Sequence, residues 1–160
     1  MKTILIILLT FNFITGFTQI TAQWRGAGRD GIYPSEGLAT EWPAEGPEMV
    51  WQTSGIGTGY ASAVADDAQI YVTGKKEDKD VMTSLSLDGK TLWQTTVGPA
   101  FDGSYPESRS TPTVDGDRVY AISGLGQITC LSVKDGSVIW SINGLSQLAI
   151  VSDRYLGGNE

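Results

Sequence analysis

The stretch Leu85-Ser86-Leu87-Asp88-Gly89-Lys90-Thr91-Leu92-Trp93 returns as Leu131-Ser132-Val133-Lys134-Asp135-Gly136-Ser137-Val138-Ile139-Trp140, with Lys134 inserted in the second copy. Each copy is a β-rich run, an Asp-Gly pair and a second β-rich run that closes on tryptophan. Asp-Gly is a strong hairpin signal, because glycine tolerates positive φ and aspartate bonds the turn's own backbone. Asp88-Gly89 and Asp135-Gly136 therefore predict tight turns between two antiparallel strands.

Upstream of this hairpin the similarity continues. Ala65-Asp66-Asp67-Ala68-Gln69-Ile70-Tyr71-Val72 aligns with Val114-Asp115-Gly116-Asp117-Arg118-Val119-Tyr120-Ala121, and Trp51-Gln52-Thr53 with Trp93-Gln94-Thr95. Trp51, Trp93 and Trp140 stand 42 and 47 residues apart. A period of about 40 to 50 residues that carries only strand patterns is the mark of a β-propeller blade. In the second copy the four runs cover roughly residues 110–114, 118–123, 127–133 and 138–142. Asp115-Gly116 turns the chain between the first two. No stretch after the N-terminal apolar run has sustained helical periodicity.

The fold class is thus all-β: four-stranded antiparallel blades of a propeller, about two of them, behind an N-terminal lead-in. The expected divisions are 1–22 signal peptide, 23–48 lead-in, 49–93 and 94–140 blades, and 141–160 the start of a connection to a next blade. Small closed propellers need about four blades. Two are expected to leave strand edges and apolar blade faces open, a source of aggregation, and the remaining blades of the same propeller are expected elsewhere.

Tryptophan at one register of each fourth strand is placed to wedge between neighbouring blades, burying on the order of 200 Å² each. Trp51, Trp93 and Trp140 are read as such docking residues in preference to stacking platforms for a ligand. Alternating strands give a blade two unequal ends. Short turns at Asp66-Asp67, Asp88-Gly89, Asp115-Gly116 and Asp135-Gly136 share one end, and the longer connections 74–80 and 98–109 share the other. Variable loops on a rigid scaffold are where binding usually sits, so the loop-rich end is the expected functional face.

Met1-Lys2, an apolar core from Ile4 to Leu9 and small residues at Thr21-Ala22 have the layout of a secretory signal peptide cleaved after Ala22. The apolar run is broken by Thr10, Asn12, Thr15 and Gly16 and falls short of the roughly 20 residues of a spanning helix. An exported protein, periplasmic or extracellular, with no membrane span after cleavage, is expected. Loss of Lys2 leaves 10 basic residues against 18 acidic ones. Nucleic acid is excluded as a partner on that balance.

The chain has no histidine and one cysteine, Cys130. Ser-His-Asp and Cys-His nucleophile systems and most zinc, copper and non-haem iron sites are excluded. Asp78-x-Asp80 lacks the glycine and distal glutamate of a calcium loop and is read as a solvated hairpin tip. Asp102 and Glu107 on one loop are read as solvated rather than as an acid/base pair. Gly55-x-Gly57-x-Gly59 has no helix behind it to hold a phosphate and is read as a blade junction. Arg109 stands out. It sits just before an inner strand at the loop-rich end, where its fork can meet a carboxylate; its structural alternative is a pairing with Asp102 or Glu107.

These repeats resemble the PQQ-type blades of the quinoprotein alcohol dehydrogenase-like propellers, through Ile70-Tyr71-Val72, Val119-Tyr120-Ala121 and the two tryptophan-closed hairpins. Gln23-Trp24-Arg25-Gly26-Ala27-Gly28-Arg29-Asp30-Gly31, Glu41-Trp42-Pro43, and the segment from Gly103 to Val114 are similar to exported PQQ-binding-like proteins of environmental bacteria. The resemblance implies PQQ with calcium in the enzymes of the superfamily, whereas other branches bind protein partners and carry no quinone. The sequence carries neither the vicinal cysteine pair nor an ion-ligand cluster of the enzymes, so no catalytic, cofactor or metal residue is assigned beyond Arg109 as a funnel-face candidate. The favoured reading is a non-catalytic exported scaffold that binds a protein or glycan through its loop-rich face. The alternative is part of a PQQ-dependent oxidoreductase whose cofactor ligands lie in further blades.

Overall fold

A computed structural model describes residues 21–147 apart from Ala27 and Pro34. The expected signal sequence therefore lies outside the described residues as far as residue 20, as does most of the connection expected at 141–160. Two antiparallel sheets carry the fold. The first is the meander β2 (Val64–Ala65), β3 (Gln69–Lys76), β4 (Lys79–Ser86) and β5 (Thr91–Pro99). The second is β6 (Thr113–Asp115), β7 (Arg118–Ile122), β8 (Gln127–Ser132) and β9 (Val138–Asn143). These are two four-stranded propeller blades, and the described residues do not close a ring. The tryptophan-to-tryptophan repeat and the sheets are offset, since β5 carries Trp93 and runs on to Pro99.

Two residues before Gln23 also join a sheet. β1 (Thr21–Ala22) pairs antiparallel with β6, Ala22 opposite Val114, along the inner edge of the second blade. Cleavage after Ala22 would remove that strand and leave the edge of β6 open. Beyond β9 the chain makes one helical turn, α1 (Gly144–Gln147), capped by Asn143, whose Oδ1 accepts the Ser146 N–H at 2.9 Å.

The two blades repeat in detail. Tyr71 on β3 faces Trp93 on β5 with ring centroids 6.1 Å apart and planes tilted by 52°, and Tyr120 faces Trp140 at 6.0 Å and 51°. The β4–β5 and β8–β9 ladders both slip by one residue just before the tryptophan, leaving Leu92 and Ile139 unpaired and exposed. Each Asp-Gly turn has its glycine at positive φ: 82° at Gly89, 60° at Gly116 and 71° at Gly136. Asp135 Oδ1 accepts both the backbone N–H and the hydroxyl of Ser137, at 3.0 and 2.7 Å.

The core runs through both sheets as one cluster: Val64, Tyr71, Met82, Val97, Val114, Val119, Ala121 and Leu131, with Trp93 and Val133 packed on it. Trp93 crosses the junction. Its indole N–H donates to the Val133 carbonyl at 3.1 Å, and its ring lies where a Cβ on Gly136 would stand. Trp51 lies in the same way over Gly89, although its own segment forms no strand. Thr95 Oγ donates to the Gly136 carbonyl and Thr129 Oγ to the Val97 carbonyl, both at 2.7 Å, so short hydroxyls tie the blades where backbone ladders end.

One connection differs from its sequence reading. Residues 74–80 are not a long loop: β3 and β4 extend through them in full register and turn only at Glu77-Asp78, with Glu77 at φ 54°. The hairpin of the first blade is thereby longer than that of the second, and it moves Asp80 from the expected solvated tip into a buried strand position, 2% exposed.

Two outcomes follow. Gly136→Ala must both strain a positive φ and displace the Trp93 ring, and is expected to destabilise by about 2–4 kcal/mol. Trp93→Ala is expected to cost about 3–5 kcal/mol, whereas Trp140→Ala, which loses little beyond its tyrosine pair, costs about 1 kcal/mol. Urea titration read by circular dichroism ranks the three. The second outcome concerns alkali. Burial raises the Tyr71 phenol above its ordinary value of about 10, helped by the nearby Asp66 carboxylate, whose Oδ2 accepts its O–H at 3.1 Å. A raised acid favours folding below the unfolded value and loses that contribution as pH climbs past it. Urea midpoints are thus expected to fall from about pH 10 upward, and Tyr71→Phe to flatten that slope.

Candidate functional site

The ends of the two blades converge where the chain passes between them. Gly57 to Tyr60 lies against the end of β3 and against Ser108: the Thr58 N–H donates to the Lys75 carbonyl at 3.0 Å and the Tyr60 N–H to the Ser108 carbonyl at 2.8 Å. A side chain on Gly57 would collide with the Gly74-Lys75 backbone, and one on Gly59 with the Ser108 carbonyl, so these glycines serve close backbone approach at a blade junction. Thr73 Oγ adds a 2.5 Å bond to the Ser110 carbonyl.

Around this junction, at the loop-rich end, lies a cavity of about 390 Å³ lined by Phe101, Glu107, Arg109, Ser110, Ile122, Ser123 and Gly124. Phe101 comes from the connection after β5, Glu107 to Ser110 from the approach to β6, and Ile122 to Gly124 from the end of β7. The β7–β8 turn is pinned from both sides. Gly126 N–H donates to the Ser123 carbonyl at 2.9 Å, and Gly124 N–H donates to Asp80 Oδ2 at 2.6 Å. Asp80 thus works across the blade interface, holding the loop that forms one wall. Its Oδ1 is buried without a partner.

Arg109 is on the cavity wall. Its pairing differs from both sequence alternatives: Nη2 donates to the backbone carbonyls of Ser104, at 2.7 Å, and Tyr105, and the guanidinium carbon lies 5.8 Å from the centre of the Tyr105 ring. Asp102 is engaged by Lys75 from β3 and is not on the wall. Glu107, read as solvated, has Oε2 buried with no hydrogen-bond partner. The sequence missed both this and Asp80. The one available signal was unequal length, since more residues lie between Val72 and Leu85 than between Ala121 and Leu131, and more between Thr95 and Val114 than between Thr53 and Ala65.

Burial pushes the Cys130 thiol up, which keeps it protonated and inert. Lys79 beside Asp78 holds that exposed carboxyl below its usual range, and Lys90 and Ser137 do the same for Asp88 and Asp135 at the turn-rich end. Among the described residues no three Asp, Glu or Cys side chains converge to hold a metal ion. The donor set of the two blades therefore does not fit a calcium-held quinone, and no step through one follows from them. None of the described helices is long and apolar enough to cross a membrane.

Stacked four-stranded blades, each with an Asp-Gly turn leading into a tryptophan-bearing fourth strand, define a β-propeller of PQQ-type repeats. The family described as outer membrane protein assembly factor BamB matches residues 31–154, and the chain belongs to this PQQ-type repeat family. A search of curated proteins finds none that matches the chain.

The Asp80 clamp gives a direct expectation. Asp80→Ala removes a charge-assisted bond of about 1.5–3 kcal/mol, so the Gly124 amide should exchange hydrogen at least tenfold faster while amides in β8 keep their protection. Residue-resolved hydrogen exchange reads this.

Proposed function

We propose that this chain is part of an exported propeller scaffold that binds a partner through its loop-rich end. The observation that carries the reading is the cavity at that end, with a buried carboxylate oxygen and a guanidinium on its walls. At the opposite end the turn aspartates Asp66, Asp88 and Asp135 are satisfied by their own neighbours.

Three further points support it. The apolar N-terminal stretch has the layout of an export signal. The family is described as an outer membrane protein assembly factor, which favours a protein among the partners. Exposed Tyr105 and Leu125 border the loop-rich end, and amphipathic aromatic rings are the side chains that interfaces use most. Polar groups set into the largely apolar lining of the cavity favour a glycan as the second partner class. Catalysis is not part of the reading, since no paired acid and base, activated nucleophile or ion site is built from the described residues.

Photocrosslinking in the producing cell tests the proposal. A benzoylphenylalanine at Tyr105 or Leu125 is expected to give discrete adducts, and one at Asp117 or Lys134, on the turn-rich end, to give none. Equal adduct yields from both ends would count against it. Protease and glycosidase treatment of the adducts tells a protein partner from a glycan.

A further inference from the structure

We infer that Asn143-Gly144 is a self-modification site held shut by α1. When that helical turn lifts, the pair loses ammonia to form a succinimide, which opens to aspartate or isoaspartate, and the isoaspartate form loosens the cavity wall at Gly126.

Of the asparagines in the chain, only Asn143 is followed by glycine. Glycine matters to the chemistry, because ring closure brings the following backbone nitrogen onto the side-chain carbon and a Cβ there would crowd the approach. The Gly144 nitrogen attacks Asn143 Cγ, a C–N bond forms, the amide proton passes to the leaving amine and ammonia departs. Water then adds to either carbonyl of the ring and breaks its C–N bond. One opening gives aspartate. The other gives isoaspartate, in which the main chain runs through the former side chain. Water is the only co-reactant.

The fold keeps the two reacting groups occupied. Asn143 ends β9 and is exposed, so water and base reach its side chain. Its Oδ1 accepts the Ser146 N–H at 2.9 Å, which holds the carboxamide over the first turn of α1. Gly144 is buried, and its N–H donates to the Gly126 carbonyl at 2.8 Å. A nitrogen in that bond neither gives up its proton nor turns towards Cγ. The Leu145 side chain lies where a Cβ on Gly126 would stand and closes the contact. Lifting α1 breaks the cap and the Gly144 bond together, so a single local opening releases nucleophile and electrophile.

The same contacts pin the β7–β8 turn. The Gly126 N–H holds the Ser123 carbonyl while its own carbonyl holds α1, and Ser123 and Gly124 line the cavity. Aspartate at position 143 keeps the cap, since the two residues cap equally well. Isoaspartate adds a backbone carbon between β9 and α1. Gly144 then cannot both follow the Gln127–Asn143 pair and reach the Gly126 carbonyl. The wall loses its tie to α1 while Asp80 still holds Gly124.

The test incubates the purified full chain, folded and in urea, at mildly alkaline pH. Mass spectrometry follows the peptide that carries Asn143, and isoaspartyl methyltransferase labelling reads the isoaspartate. Conversion is expected to be about tenfold or more slower in the folded chain, because it waits on local opening. Leu145→Ala, which strips α1 of its contact with Gly126, is expected to bring the folded rate towards the rate in urea, and Asn143→Gln to abolish conversion in both. Should Leu145→Ala lose its native spectrum, Ser146→Gly, which weakens the helical turn alone, takes its place with the same expectation. Hydrogen exchange on the isoaspartate fraction is expected to run about tenfold faster at Gly126 and Gly144, with amides in β4 unchanged. Equal rates folded and in urea would overturn the inference, as would a loosened-turn variant that converts no faster than the parent. Isoaspartate with unchanged exchange at Gly126 would refute the link to the cavity wall.

Discussion

A tryptophan ring laid over a glycine holds these blades in order. Trp93 occupies the space that any Cβ at Gly136 would need, and Trp51 does the same at Gly89. The Asp-Gly pair therefore answers two demands at once. The turn between third and fourth strands requires a residue at positive φ, and the neighbouring blade requires a flat, side-chain-free platform for the indole. A β-branched or even an alanine residue would fail both. Because the indole N–H also reaches the Val133 carbonyl, the ring is fixed in orientation as well as position.

That lock dictates what else the interface contains. With the ring filling the gap near the turns, the rest of the junction closes through small side chains: Thr95 and Thr129 bond backbone carbonyls of the opposite blade, and Thr73 reaches the Ser110 carbonyl. Short hydroxyls suit this place because they satisfy carbonyls at the sheet edges with little conformational entropy to lose. The apolar cluster then passes from Tyr71 and Met82 to Val119 and Leu131 without a break, so two sheets share one core. Rigid at the turn-rich end, the pair of blades leaves its irregular backbone to collect at the other end.

Much of this was legible in the sequence, for a physical reason. Repeated blades repeat their constraints, so Asp88-Gly89 and Asp135-Gly136, with their tryptophans, announce the hairpin twice. The same reasoning fails where the blades differ. The β3–β4 hairpin is longer than its counterpart, and nothing in the second copy warns that residues 74–80 continue the ladder or that Asp80 is buried against Gly124. Glu107 and Arg109 stand in a connection that is longer than its counterpart between Thr53 and Ala65. Their meeting on one wall depends on how the second blade is seated against the first, which no local pattern encodes.

The division between repeated and unrepeated residues is therefore also a division of labour. Positions that recur must satisfy the stack, and a residue bound to the stack has little freedom to vary with a ligand. Asp80 lies between the two classes. It sits in a core strand, yet its carboxylate bonds no residue of its own sheet and instead fixes the Gly124 amide of the next blade. A buried carboxylate with one oxygen unpartnered is a poor way to stabilise a propeller, since an apolar residue there would avoid the desolvation cost. Through the Gly124 amide the carboxylate holds the turn from Ser123 to Gly126, and that turn forms a wall of the cavity that Glu107 and Arg109 also line. A buried carboxylate of the first blade thus fixes the shape of a loop on the second.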